Sequence, residues 1–141
     1  MKIKNVLIYP LALLSMQLSC TNDNDETTSE ASIYKKWYNK EEVVDGEIIP
    51  YDGNESCGKD YIEFYDANKY KSIDIDNCVA TTNSMGTFTR TGNTISVIDP
   101  QSGTETYEIV ELTETNLSVK YSDDYDGDGT LDSVILKFTN N

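Results

Sequence analysis

The stretch "GTFTRTGNTISV", Gly86 to Val97, decides how this chain folds. Gly92-Asn93 stands between two runs rich in threonine, isoleucine, valine and phenylalanine. Both turn residues tolerate positive φ, so the pair reads as the two-residue loop of a β-hairpin. The same grammar recurs on either side. "LSVKYS" sets Leu117, Val119 and Tyr121 against Ser118, Lys120 and Ser122, and "SVILKFT" sets Val134, Leu136 and Phe138 against Ile135, Lys137 and Thr139. "YIEFY" puts Ile62 and Phe64 on one side, with Tyr61, Glu63 and Tyr65 on the other. Each period of two describes a half-buried strand. "ELTETNLS" and "YDANKY" read as longer hairpin loops. Strands are expected near 37–45, 60–65, 69–75, 85–91, 94–99, 104–112, 115–122 and 132–139. Thr27 and Glu30, at capping-box spacing, predict a turn of helix near 29–36.

Strands joined in sequence by tight turns make an up-and-down meander. Left flat, such a sheet has two unpaired edges and one wet apolar face. Curling it shut removes both problems, and eight strands enclose room for side chains or one small ligand. The fold expected is therefore all-β, a small antiparallel barrel of about eight strands, with an open curved sheet or a sandwich as the alternative. Ile62, Phe64, Ile73, Ile75, Phe88 and Ile95 are expected inside, joined from the later strands by Val97, Leu117, Val119, Val134, Leu136 and Phe138. Together they predict a packed interior with at most a shallow pocket.

The chain has 141 residues, room for one domain. Its first segment does not belong to that domain. Lys2 and Lys4 precede "VLIYPLALLSM", an apolar run too short to span a bilayer. "QLSC" follows and ends at Cys20. A small residue before a cysteine, directly after such a run, resembles the lipobox of bacterial lipoproteins, although Gln17 stands where that pattern usually has leucine. The resemblance implies a signal peptide over 1–19, cleavage before Cys20 and lipidation of its sulfur, so that acyl chains anchor the mature chain to a membrane. "TNDNDETTSE" then reads as a disordered acidic tether, giving a lipidated cysteine and tether over 20–32 and a barrel domain over 33–141. The tether also resembles the acidic export signal of Bacteroidota lipoproteins, which implies the cell-surface side of the outer membrane. The alternative is a periplasm-facing anchor. A net charge of −14 argues against nucleic acid or anionic headgroups as partners.

The domain itself carries a second resemblance. Trp37 lies in the first strand, Cys57 precedes "YIEFY", and Cys78 precedes "GTFTRTGNTISV"; "YEIVELTETNLSVKY" comes near the end. This order resembles the lipocalin-like domain family found in many Bacteroidota lipoproteins, over nearly all of residues 33 to 139. It implies a small antiparallel barrel. Lys35-Lys36 precede Trp37, where lipocalins proper carry a glycine two residues earlier, and the family is mostly of unknown function, so the resemblance speaks to fold more than to ligand.

Two cysteines remain after Cys20. In an oxidising envelope Cys57 and Cys78 are expected to pair, closing a loop for which chain entropy suggests about 3 kcal/mol. "DYDGDGTLD" aligns on a calcium loop: Asp124, Asp126 and Asp128 at positions one, three and five, Gly129 at six, the Thr130 carbonyl at seven and Asp132 at nine. Position twelve is Ile135, not the bidentate glutamate of an EF-hand, and the flanks read as strands. The motif is closer to the DxDxDG loops of extracellular calcium proteins. Weak structural binding of Ca2+ is expected there, with an ordinary solvated Asp-Gly turn as the alternative.

The chain has no histidine, no Gly-x-Ser-x-Gly elbow and no phosphate-cradling loop, so catalysis is not expected. Two functions stay open. One is a lipid-anchored binding module for a small molecule, with Tyr51, Tyr61, Tyr65, Tyr70 and Tyr107 available as stacking faces. The other is an interaction or inhibitor module, packed shut, whose partner is an envelope protein.

Overall fold

The computed structural model describes residues 31–141. The expected signal peptide, Cys20 and the tether through residue 30 lie outside the described residues. Nine strands follow one another: β1 (Lys36–Val44), β2 (Glu47–Pro50), β3 (Tyr61–Tyr65), β4 (Lys69–Asp76), β5 (Val79–Thr91), β6 (Thr94–Asp99), β7 (Gly103–Leu112), β8 (Asn116–Asp123) and β9 (Asp132–Thr139). From β3 to β9 each strand pairs antiparallel with the next. The ends meet on β1, which pairs with β3 through Lys36–Tyr38 and with β9 from Tyr38 to Val44. The result is a closed barrel of eight strands, with β2 a short flap paired to the upper half of β1.

Because successive strands run in opposite directions, the turns fall alternately at two ends. One end collects residues 31–35, the hairpins at 66–68, 92–93 and 113–115, and the C-terminus. The other collects the turns at 45–46, 77–78 and 100–102, the 51–60 connection and the acidic hairpin at 124–131. The first end is plugged. Trp37 is fully buried and its Nε1 donates to the Ile33 carbonyl at 2.9 Å, while Ile33 is only 2% exposed. Phe88 stacks edge-on against Phe64 with centroids 4.8 Å apart. Lys35 crosses this end to Glu114, bonding its carboxylate at 2.8 Å and its carbonyl at 2.9 Å.

No helix occurs among the described residues, and the turn expected near 29–36 is absent from the part described: residues 31–35 are irregular and β1 begins at Lys36. The barrel claims those backbone groups instead. Phe64 N–H donates to the Lys35 carbonyl at 3.2 Å, and the Ile33 carbonyl is taken by Trp37.

Two strands are longer or newer than expected. Asp45 and Gly46 both have positive φ, 47° and 92°, which makes the tight hairpin that creates β2. At the β4–β5 hairpin Asn77 and Cys78 have φ of 51° and 62°, and β5 starts at Val79 instead of near 85. "VATTNS" shows no polar–apolar alternation because both of its faces are largely exposed; its pairing with β4 carries it into the sheet.

Three bulges bend the barrel, at Asn39/Glu41 in β1, opposite Ser72/Ile73 in β5 and at Ile109/Glu111 in β7. Register also corrects the expected interior. Ile73 lies opposite Tyr61, on the outward side of the wall, where it is nonetheless buried, and Ile75 shares that side. Ile75 is covered by the 51–60 connection, where a methyl on Gly58 would stand 3.2 Å from Ile75 Cγ1. The inward positions of β4 and β5 at this height are Ser72 and Ser84, directly paired, so the interior is not filled.

Candidate functional site

A cavity of about 370 Å³ occupies the barrel above the plug. Its floor is apolar, made by Phe64, Ile95, Val97, Val119, Leu136 and Phe138 from four strands. Its upper part is polar. Ser72 and Ser84 leave space on one wall, and Asp99, Glu105, Tyr70 and Tyr107 face them. No lysine or arginine lines it among the described residues.

Local sequence explains each of these groups. Asp99 ends β6 and its Oδ1 accepts the amides of Gln101 and Ser102, at 2.6 and 3.2 Å, which closes the β6–β7 turn. Glu105 and Tyr107 are alternate residues of β7 and face the same way; the Tyr107 hydroxyl donates to Glu105 Oε2. Burial, then this bond to a carboxylate, push the Tyr107 phenol well above its ordinary value. Burial also raises Tyr70, with the charges of Asp99 and Glu105 adding to it against a hydrogen bond from Ser84.

The barrel wall is incomplete beside this cavity. The β7–β8 ladder starts only at Glu108↔Lys120. Above it, Glu105, Thr106 and Tyr107 of β7 face Tyr121, Ser122 and Asp123 of β8 across an open slot. Tyr107 and Tyr121 meet edge-on across it, ring centroids 5.4 Å apart. Glu105 and Tyr107 belong to both the cavity and the slot, so the two are continuous.

Of the five tyrosines considered as stacking faces, only Tyr70 and Tyr107 line the cavity. Tyr61 and Tyr65 are on the outer wall, where Lys36 and Lys71 sit over their rings at 4.5 and 5.1 Å. The Tyr51 hydroxyl donates to buried Asp60 at the upper rim, and burial followed by that bond raises its pKa to about 12. Asp99 and Glu105 were not among the expected site residues. The signal was present, since the alternation Ile95, Val97 continues to Asp99, and Ile109, Tyr107 runs back to Glu105. Acids at inward positions are easily read as solvent-facing.

The acidic hairpin brings together part of its predicted set. Asp124, Asp126 and Asp128 each offer a carboxylate oxygen within 4.8 Å of the others. Gly127 and Gly129 supply the positive φ, 77° and 91°, that wraps the chain around them. Asp124 Oδ2 accepts the Gly129 amide at 3.1 Å, while its Oδ1 is enclosed without a hydrogen-bond partner. Asp128 receives both the amide and the hydroxyl of Thr130, which lower its pKa. Asp132 is not within that group; its Oδ2 accepts the Tyr125 amide at 2.9 Å and braces the loop from β9.

Cys57 and Cys78 are joined, with Cα atoms 5.7 Å apart. Glu55 grips the same turn, one carboxylate oxygen taking the Asn77 amide at 2.8 Å and the other the Cys78 amide at 2.9 Å. Bridge and clamp hold a left-handed pair that cysteine alone would not favour. No described helix is long and apolar enough to cross a membrane.

Three comparisons bear on this arrangement. No curated protein matches the chain. Among solved structures it is similar to a lipocalin-like protein from Bacteroides uniformis, with 17% identity and a TM-score of 0.58 over 77% of this chain and 98% of that one. It is similar to an uncharacterized protein from Bacteroides eggerthii, with 12% identity and a TM-score of 0.57 over 78% and 100%. Apocrustacyanin C2 matches at 16% identity and a TM-score of 0.50, over 82% of this chain and 64% of its own. At such identities the likeness is one of fold. The sequence itself matches the lipocalin-like domain over residues 33–119, more than half its length, and with the closed eight-strand barrel now described, the chain belongs to the lipocalin-like domain family.

Proposed function

We propose that this protein is a lipid-anchored envelope module that holds one small, largely apolar molecule inside its barrel. The observation that carries the reading is the cavity of about 370 Å³, with an apolar floor and a few convergent polar groups. It lies at the small end of the range for ligand sites, which suits a compact guest and not a long lipid. Native mass spectrometry of protein purified from its own host is expected to retain a small molecule. A titration with the apolar dye N-phenylnaphthylamine is expected to saturate at one per chain. If neither gives a bound molecule, the cavity is not a site.

The anchor reading rests on Cys20 and its preceding apolar run. Residues 31–35 enter at the plugged end, so a tether leading back to Cys20 leaves the cavity mouth on the side away from the membrane. Radiolabelled palmitate is expected in the wild-type chain and not in Cys20→Ser; equal labelling removes the anchor. Protease added to intact cells is expected to cleave the domain, which distinguishes a surface position from a periplasm-facing one.

The three clustered carboxylates and the enclosed Asp124 Oδ1 support Ca2+ as a structural ion. With a dissociation constant on the order of 10⁻⁴ to 10⁻³ M, 10 mM calcium would stabilise the fold by about 1.4 to 2.7 kcal/mol. A higher Tm in calcium, reversed by chelator and absent in Asp126→Asn, is the expected result. Identical melts remove the ion. The ion would pin the β8–β9 hairpin beside the mouth and take no part in ligand chemistry.

A further inference from the structure

The mouth of the cavity is acidic in a way its floor is not. Asp99 and Glu105 stand on its rim, and Asp123 faces Glu105 across the open β7–β8 slot. Glu42 reaches the same end, accepting a hydrogen bond from the Tyr125 hydroxyl at 3.1 Å. The ion pairs seen among the described residues lie elsewhere: Lys35–Glu114 at the plugged end, Lys71–Glu63 and Lys137–Glu41 on the outer wall. Two tyrosine rings, Tyr107 and Tyr121, border the slot between these acids.

We infer that the preferred guest is a small organic cation, a protonated amine on a short apolar body. Its tail occupies the floor at Val97, Val119 and Phe138, and its ammonium sits in the slot against Glu105 and Asp123. An ammonium donates to carboxylates and is attracted to aromatic faces, and all three groups meet there. A carboxylate or phosphate head would instead meet Asp99, Glu105 and Asp123, with no lysine or arginine among the described residues lining the cavity or the slot; Lys120 borders only the neighbouring outer pocket that shares Thr106, Tyr107, Tyr121 and Ser122. A neutral guest would fit the floor but leave the slot unanswered. Glu105 and Asp123, two like charges, stand on opposite sides of the place where the β7–β8 ladder has ended, and they repel one another there. A bound cation would relieve that repulsion and draw the two strands together.

This inference rests on the cavity being the ligand site, and its test separates the two. Octylamine, octanol and octanoate present one tail with three heads, and isothermal titration of the mature wild-type protein at pH 7 compares them. The amine is expected to bind about tenfold tighter than the alcohol, the scale of one charge-assisted hydrogen bond, with octanoate weakest. Glu105→Gln is expected to remove most of that gap, the amine losing far more affinity than the alcohol. About 0.5 M salt is expected to narrow it as well. Ser72→Leu, which fills the cavity and leaves every acid of the rim in the sequence, is expected to abolish all binding. Equal affinity for amine and alcohol, or preference for octanoate, overturns the cation and leaves the cavity reading standing. Amine binding that survives Ser72→Leu overturns it too, since the acidic surface would then be the receptor. Failure of all three ligands overturns both.

Discussion

Trp37 holds the closed end by two means at once. Its ring is fully buried against the core, and its indole N–H satisfies the Ile33 carbonyl at 2.9 Å. Trp37→Phe keeps an aromatic ring, opens a small void and orphans that carbonyl. The expected cost is about 2 kcal/mol, read as a lower urea midpoint with an unchanged slope. Asp74 works in the opposite direction. Burial, then the charge of Asp60, raise its carboxyl above the ordinary 3.8, so the folded chain holds this proton more tightly than the unfolded chain. Its ionised form therefore subtracts stability once the pH climbs past 3.8, and subtracts nothing well below it. Asp74→Asn is expected to raise Tm at pH 7 by a few degrees at most and to leave it unchanged below about pH 3. A gain of equal size at both pH values would refute the electrostatic cause.

Strand pairs carry their own constraints. Gly86 faces Tyr70 across β4–β5, and a Cβ there would stand 1.9 Å from the Ile98 carbonyl oxygen of β6. That obstacle is backbone, so Gly86→Ala must part β5 from β6 at the height of the cavity rim. Destabilisation of about 3 kcal/mol is expected, with loss of ligand binding. At the β4–β5 hairpin, replacing Cys57 and Cys78 together by serine removes a crosslink spanning 21 residues, at an expected cost of about 3 kcal/mol in chemical denaturation. Glu55 still clamps the turn, so the reduced protein is expected to keep its strand content by circular dichroism. Turn chemistry made most of these elements readable. Gly92-Asn93 announces its hairpin, because glycine takes at no steric cost the positive φ, 58°, that the turn needs there. The Asn77-Cys78 turn was hidden for the same reason: cysteine is a poor left-handed residue, and only a bridge and a carboxylate from elsewhere in the chain keep it there.

Across the whole molecule, the cavity is a matter of what faces what. Filling it is expected to separate stability from binding. Ser72→Leu places a branched apolar side chain over Phe64 and Val119, and is expected to leave Tm unchanged or slightly raised while the ligand is lost. A collapse in Tm would mean the space is already committed to packing.

The sequence by itself determined the class of fold, the order of eight of the nine described strands and most of the hairpins, because a period of two and a turn pair are properties of neighbouring residues. It also pointed to the pairing of Cys57 with Cys78 and to the compact acidic loop at 124–128, where the carboxylates lie within a few residues of one another. Only the tertiary structure decided which side of each strand is inside and whether the inside is full. Ile73 and Ile75 alternate as core residues should, yet the register with β3 turns them outward and sets Ser72 inward; Asp99 and Glu105 look like solvent residues, yet barrel closure aims them at the cavity. Closure, bulges and shear act between residues far apart in the chain, and so no local pattern records them.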